Sequence, residues 1–138
     1  MPSSPPGRAI RVLIADDHRL FAESLMAVLS QDERIDVVGI AGNGQEAVEL
    51  AAQLEPDVIL MDLRMPVLDG FEATRRIRES CSEAQILILT GADEEIGMED
   101  AAAAGASGYL RKEQGVDELR AVFLEVASLA AVLGPSPH

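Results

Sequence analysis

Residues 58–70 read VILMDLRMPVLDG: a short run of Val, Ile, Leu and Met that stops on Asp62 and continues through Arg64, Met65-Pro66 and Asp69-Gly70. An apolar run without alternation suits a strand covered on both faces, as in a parallel sheet. Four more such runs flank it: residues 10–15 (IRVLIA), 37–41 (VVGIA), 86–89 (ILIL) and a weaker 108–110 (GYL). Helical stretches separate them. Phe21, Leu25, Val28 and Leu29 form an apolar stripe on the first, and Val116, Leu119, Val122, Phe123, Val126 and Leu129 do so on the last, at spacings of three and four. Helices are also expected around residues 45–54, 71–79 and 94–104. Strand–helix alternation repeated five times predicts a doubly wound α/β fold with right-handed crossovers, a flavodoxin-like (βα)5 sheet of order 2-1-3-4-5. The expected core is aliphatic, since the chain has no Trp, one Tyr and three Phe. The helix over 94–104 carries AAAAG (residues 101–105) and Gly97 with few large apolar residues, and is expected to be loosely held.

A length of 138 residues suits one domain. The Pro- and Ser-rich residues 1–8 read as a flexible tail, residues 9–133 as the folded unit, and residues 134–138 as a short C-terminal tail. Eleven Lys and Arg oppose 24 Asp and Glu, a formal charge of −13. Such a surface repels phosphate backbones and anionic lipids, so this chain is expected to bind neither nucleic acid nor membrane directly. The single Cys81 excludes an internal disulfide and reads as an unremarkable loop thiol. With no signal peptide or long apolar run, the expected location is the reduced cytoplasm. His18 reads as a surface or helix-start residue and His138 as a terminal one. The acidic residues 93–95, Glu99 and Asp100 read as a solvated face.

In a doubly wound sheet, ligands sit beyond the carboxyl ends of the strands where strand order reverses. Strand 1 ends in Asp16-Asp17, strand 3 in Asp62, strand 4 in Thr90, and strand 5 is followed by Lys112. Strands 1 and 3 flank the switch point, so three carboxylates converge with a hydroxyl on one side and an ammonium on the other. Carboxylates this close need a proton or a cation between them. A hard divalent ion such as Mg²⁺, held by oxygens, is the natural partner. No His or Cys is expected in the cluster, which argues against zinc. Taken singly, Asp17 reads better as a cap of the next helix, Lys112 as a solvated loop residue and Thr90 as a simple strand end; it is the joint pattern that is specific.

These residues, in this order, resemble the receiver domain of two-component response regulators from Ile10 to about Leu133. The resemblance rests on Asp16-Asp17, the DxxMPxxDG run of residues 62–70, Thr90, and Gly108-Tyr109-Leu110-Arg111-Lys112; DDHRLF (residues 16–21) and GYLRKE are most similar to the NarL/FixJ-like class. It implies that Asp62 is the phospho-acceptor, a nucleophile that forms an acyl phosphate. It also implies that Asp17, Asp62 and the backbone carbonyl of Arg64 hold Mg²⁺, with Asp16 acting through the metal or its water. Lys112 would pair with a phosphoryl oxygen. Thr90 would swing toward another, and Tyr109 would repack on the face formed by helix 4, strand 5 and helix 5. The implied donor is a sensor histidine kinase or a phosphotransfer protein, and the chain is no enzyme beyond its own phosphotransfer and autodephosphorylation. Arg64 and Ala92 occupy the two variable positions that tune phosphate lifetime in the family. Glu113 stands after the lysine, where many receivers have Pro.

Two rival readings are weaker. Gly42-Asn43-Gly44-Gln45-Glu46-Ala47 fits GxGxxA after a strand, a dinucleotide-binding pattern through Gly42, Gly44 and Ala47. That pattern belongs on the first, central strand, and here it follows the second. A haloacid-dehalogenase-type phosphatase needs an Asp two residues after its nucleophile, where Arg64 stands. As for output, the chain is expected to act as a stand-alone receiver through protein contact, with an output protein or as a homodimer; the alternative is a receiver excised from a DNA-binding transcriptional regulator.

Overall fold

The computed structural model describes residues 9–80, 82–91 and 98–133. The expected tails, Cys81, Ala92, residues 93–95, Gly97, His138 and the side chains of Val126 and Leu129 lie outside the described residues. In chain order the elements are β1 (Ile10–Ala15), α1 (Arg19–Leu29), β2 (Ile35–Ala41), α2 (Gly44–Leu54), β3 (Val58–Asp62), α3 (Gly70–Glu79), β4 (Gln85–Thr90), α4 (Met98–Ala104), β5 (Gly108–Arg111), a 3-10 turn (Lys112–Gln114) and α5 (Val116–Leu133). The five strands form one parallel sheet of order β2-β1-β3-β4-β5, as expected. β2 begins two residues before its apolar run because Ile10 pairs with Ile35; exposed Asp36 hides that start in the sequence.

Side chains alternate along each strand, so the sheet feeds two cores. Leu13, Ala15, Ile59, Met61, Ile86 and Ile88 pack under Ala47, Ala51, Ala73, Ile77 and Ala101 of α2, α3 and α4. Val12, Ile14, Leu60, Leu87 and Leu89 pack under Ala22, Leu25, Leu29, Leu119 and Phe123 of α1 and α5. β3 is buried at every position, which explains its unbroken apolar run. Among its described side chains α4 buries Ala101 and Ala104, so little apolar area anchors it.

The chain after β3 doubles back tightly. Gly70 N–H donates to the Leu63 carbonyl at 2.7 Å, and the Asp69 carboxylate caps α3 by accepting from Glu72 N–H at 2.8 Å. A Cβ on Gly70 would lie 2.4 Å from the Asp62 carbonyl oxygen, so only glycine fits. Within the same loop Leu68 N–H donates to the Pro66 carbonyl at 2.8 Å across Val67, whose φ is +73° and which is 76% exposed. A β-branched residue in that tight turn is strained.

These two positions have opposite expected responses in urea unfolding. Gly70→Ala costs about 2 kcal/mol or more, because backbone must move to admit the methyl. Val67→Gly is neutral or stabilising by up to about 1 kcal/mol, since relieved strain offsets the added chain entropy. In amide exchange, residues 101–104 lose protection before residues 119–123; equal protection would show that α4 is anchored as firmly as α5.

Candidate functional site

Ala15 of β1 is registered against Met61 of β3, so the next residue on each strand, Asp16 and Asp62, leaves the sheet at the same level. Asp16 is held there by its N–H, which donates to the Ala41 carbonyl at 2.9 Å. Both carboxylates are buried, 1% and 3% exposed, whereas Asp17 lies at the rim. Lys112 arrives from the end of β5 and bridges them: Nζ is 2.8 Å from Asp16 Oδ2 and 3.1 Å from Asp62 Oδ1. The same ammonium sits 4.8 Å from the centre of the Phe21 ring, which gives α1 a hand in placing it.

One ammonium does not balance three carboxylates. Burial, then the charge of Asp16, pushes the Asp62 carboxyl up to about 7, against the opposing pull of Lys112. For Lys112, burial works against the charged form, but its hydrogen bonds and charge pairing with Asp16 and Asp62 outweigh this and raise its pKa. Asp62 Oδ2 is buried and has no hydrogen-bond partner among the described residues. A buried, unpartnered carboxylate oxygen facing further carboxylates is the mark of a place for a cation. Asp16, Asp17 and Asp62 therefore fit a divalent ion.

The other expected residues fall nearby, with two corrections. Thr90 ends β4 one position past Leu89, the register partner of Asp62; it is buried, and its hydroxyl donates to the Leu110 carbonyl at 3.5 Å. Tyr109 is half-buried on β5, packed on the α2–α3–α4 side, with the Arg111 guanidinium 6.0 Å from its ring. Arg64 lies exposed in the loop after β3. Asp17 does not cap α1: the N-cap residue is His18, and His18 N–H donates to Asp16 Oδ1 at 2.9 Å. The expectation that no histidine joins the cluster is wrong. His18 Nδ1 lies 3.2 Å from Asp16 Oδ1, 3.6 Å from Asp17 Oδ1 and 4.0 Å from Asp62 Oδ2. The Asx-type turn made by Asp16 folds the next residues back over the strand end and carries the ring with them. The usable signal was its position, directly after an Asp pair at a strand's carboxyl end.

In the GxGxxA stretch the polar groups cap α2 and Gly44 serves packing. Glu46 N–H donates to Asn43 Oδ1 at 2.8 Å and Gly42 N–H to Glu46 Oε1 at 2.7 Å, a reciprocal cap that places a carboxylate where a pyrophosphate would need to lie. A Cβ on Gly44 would lie 2.1 Å from the Leu68 carbonyl oxygen, so this glycine lets α2 rest on the loop after β3. The dinucleotide reading is abandoned on those contacts.

Comparison with known proteins agrees with this geometry. The family model described as response regulator receiver domain matches residues 12–124. The chain is 40% identical over 126 residues to the transcriptional regulatory protein LnrK of Bacillus subtilis (strain 168), covering 91% of this chain and 57% of that protein. It therefore spans little more than half the length of the curated relatives it matches. Among solved structures it is similar to the signal receiver domain of the response regulator NarL from Mycobacterium tuberculosis (TM-score 0.80, 34% identity, 88% of this chain and 98% of that one). It is similar too to the response regulator domain of Thermotoga maritima CheB (TM-score 0.79, 32% identity, 93% and 100%). Among the described residues, no helix is long and apolar enough to cross a membrane.

The strained charge balance predicts a pH signature without divalent ions. Between the ordinary carboxylate value of 3.8 and about 7, folded Asp62 keeps a proton that the unfolded chain has lost, so stability falls as pH rises through that window. Asp62→Asn is then more stable than the parent by about 1–2 kcal/mol at pH 8, with the gain shrinking toward pH 4. Urea unfolding at both pH values measures it; a gain independent of pH would mean that the Asp62 charge carries no such cost.

Proposed function

The chain belongs to the response-regulator receiver family, and from that premise we propose that Asp62 accepts a phosphoryl group from a sensor histidine kinase or a phosphotransfer protein. The observation that carries this reading is the pairing at Asp62: one carboxylate oxygen on the Lys112 ammonium, the other buried without a hydrogen-bond partner among the described residues.

A carboxylate oxygen of Asp62 attacks the donor phosphorus, a P–O bond forms, and the P–N bond to the donor imidazole breaks with its electron pair returning to nitrogen. The product is an acyl phosphate. Asp16, Asp17 and Asp62, with the Arg64 carbonyl, would hold Mg²⁺, which supplies neutralisation of the phosphoryl charge and of the carboxylates themselves. Lys112 faces the other oxygen of each buried carboxylate, Asp16 Oδ2 and Asp62 Oδ1, and stabilises the negative charge of the phosphoryl group that moves onto Asp62. Burial excludes bulk water from the nucleophile. The Thr90 hydroxyl then leaves its long bond to the Leu110 carbonyl for a phosphoryl oxygen, and Tyr109 repacks beside α4, β5 and α5. Chemistry is confined to the chain's own aspartate, in phosphotransfer and autodephosphorylation.

The output is a contact made by that altered face, with a partner protein or a second copy. A second reading is favoured by one observation: LnrK, at 40% identity, is a transcriptional regulatory protein of which this chain matches 57%. On that reading the face controls an attached DNA-binding part.

Intact mass after incubation with acetyl phosphate and Mg²⁺ tests the proposal. The expected result is a gain of one phosphoryl group that requires Mg²⁺ and is lost in Asp62→Asn. Lys112→Ala should slow that gain about 100-fold, the scale expected for losing one charge-stabilising donor. A gain that persists in Asp62→Asn would place the acceptor elsewhere.

A further inference from the structure

We propose that His18 is a ligand of the cation held by Asp16, Asp17 and Asp62, and that it makes this a mixed nitrogen–oxygen site favouring first-row transition ions over Mg²⁺. The inference rests on the metal-dependent reading of the site given above.

Lys112 and His18 divide the two buried carboxylates between them. Asp16 Oδ2 and Asp62 Oδ1 face the ammonium, at 2.8 and 3.1 Å. Asp16 Oδ1 and Asp62 Oδ2 face the imidazole, with Asp17 Oδ1 on the same side. Of these, Asp62 Oδ2 belongs to a side chain 4% exposed and has no hydrogen-bond partner among the described residues. Four atoms therefore surround one small volume: three carboxylate oxygens and His18 Nδ1, all within 4.8 Å of one another.

The separations match a coordination sphere. Ligands about 2.1 Å from a six-coordinate ion are about 3.0 Å apart when adjacent and about 4.2 Å apart when opposite. His18 Nδ1 is 3.2 and 3.6 Å from the oxygens of Asp16 and Asp17, near the adjacent spacing, and 4.0 Å from Asp62 Oδ2, near the opposite one. The ring is mounted for this. Its residue is the N-cap of α1, and its N–H is tied to Asp16 Oδ1 at 2.9 Å, so the carboxylate that would bind the ion also anchors the backbone of the proposed ligand. Without an ion, Nδ1 donates its proton to Asp16 Oδ1 at 3.2 Å; an ion bound at Nδ1 takes the place of that proton, and the ring then carries its proton on Nε2.

An all-oxygen set suits Mg²⁺, whereas imidazole is a poor ligand for Mg²⁺ and a good one for Co²⁺, Ni²⁺ and Zn²⁺. Calorimetric titration of the full chain with Mg²⁺ alone and with Co²⁺ alone, with the visible Co²⁺ spectrum as a second readout, is the test. In His18→Ala the Co²⁺ affinity should fall about tenfold or more and the Co²⁺ band should shift, while Mg²⁺ affinity changes less than about twofold. His18→Asn, which keeps a polar helix start, should behave like His18→Ala and serves if the alanine variant does not fold. A Co²⁺-to-Mg²⁺ affinity ratio unchanged in both variants overturns the proposal and leaves the carboxylate site standing. Co²⁺ binding that survives Asp62→Asn combined with Asp17→Asn overturns it by placing the ion elsewhere. Parent protein that binds neither ion sinks the metal-dependent reading itself, and this inference with it.

Discussion

Two buried carboxylates share one lysine, and the candidate site is arranged around that imbalance. Asp16 and Asp62 could be separated from water only because the Lys112 ammonium lies within 3.1 Å of both. Burial, and after it the charge of Asp16, still keeps the Asp62 titration elevated against the pull of that lysine. A buried site with excess negative charge favours a cation. Among the described residues the other buried polar side chains are the hydroxyls of Thr74 on α3 and Thr90 at the end of β4.

Such a cluster persists because the scaffold over-determines it. β1 and β3 pair in register through residues fully buried on both sides, so neither strand can slide to relax the repulsion at its end. The loop after β3 is locked by Gly70 against the Asp62 backbone and by α2 resting on Leu68 through Gly44. Strain at Val67 is tolerated inside that locked loop. By contrast α4, with alanines in its core contacts, is held by little area, and it lies beside β5 and the end of β4. A rigid charged pocket next to a lightly packed helix is a reasonable way to turn a local charge event into a change of surface.

Much of this was readable without coordinates. Continuous apolar runs at 10–15, 58–61 and 86–89 announce two-sided burial because parallel central strands have no polar face to display, and the polar residues that end them name the site. Strand 2 was less legible, since as an edge strand it shows an exposed Asp36 and a half-buried middle. The roles of the Gly42–Ala47 stretch and of Gly70 were not legible either. A glycine's pattern does not say whether it makes room for a phosphate or for a neighbouring carbonyl; only the contacts at Leu68 and Asp62 decide that.

His18 marks the same boundary most sharply. Alternation, run lengths and strand-end residues depend on local chain geometry, so the order of the sheet and the meeting of Asp16, Asp17, Asp62 and Lys112 were determined by the sequence itself. Where the imidazole points depends on a turn closed by the Asp16 carboxylate and on a lysine 94 residues away in the chain. The turn is local, but the lysine contact joins distant segments, and no periodicity of apolar residues encodes either. That the cluster is a nitrogen-and-oxygen one was left to the tertiary structure, because only folding sets the imidazole against carboxylates that the chain's own charge would otherwise keep apart.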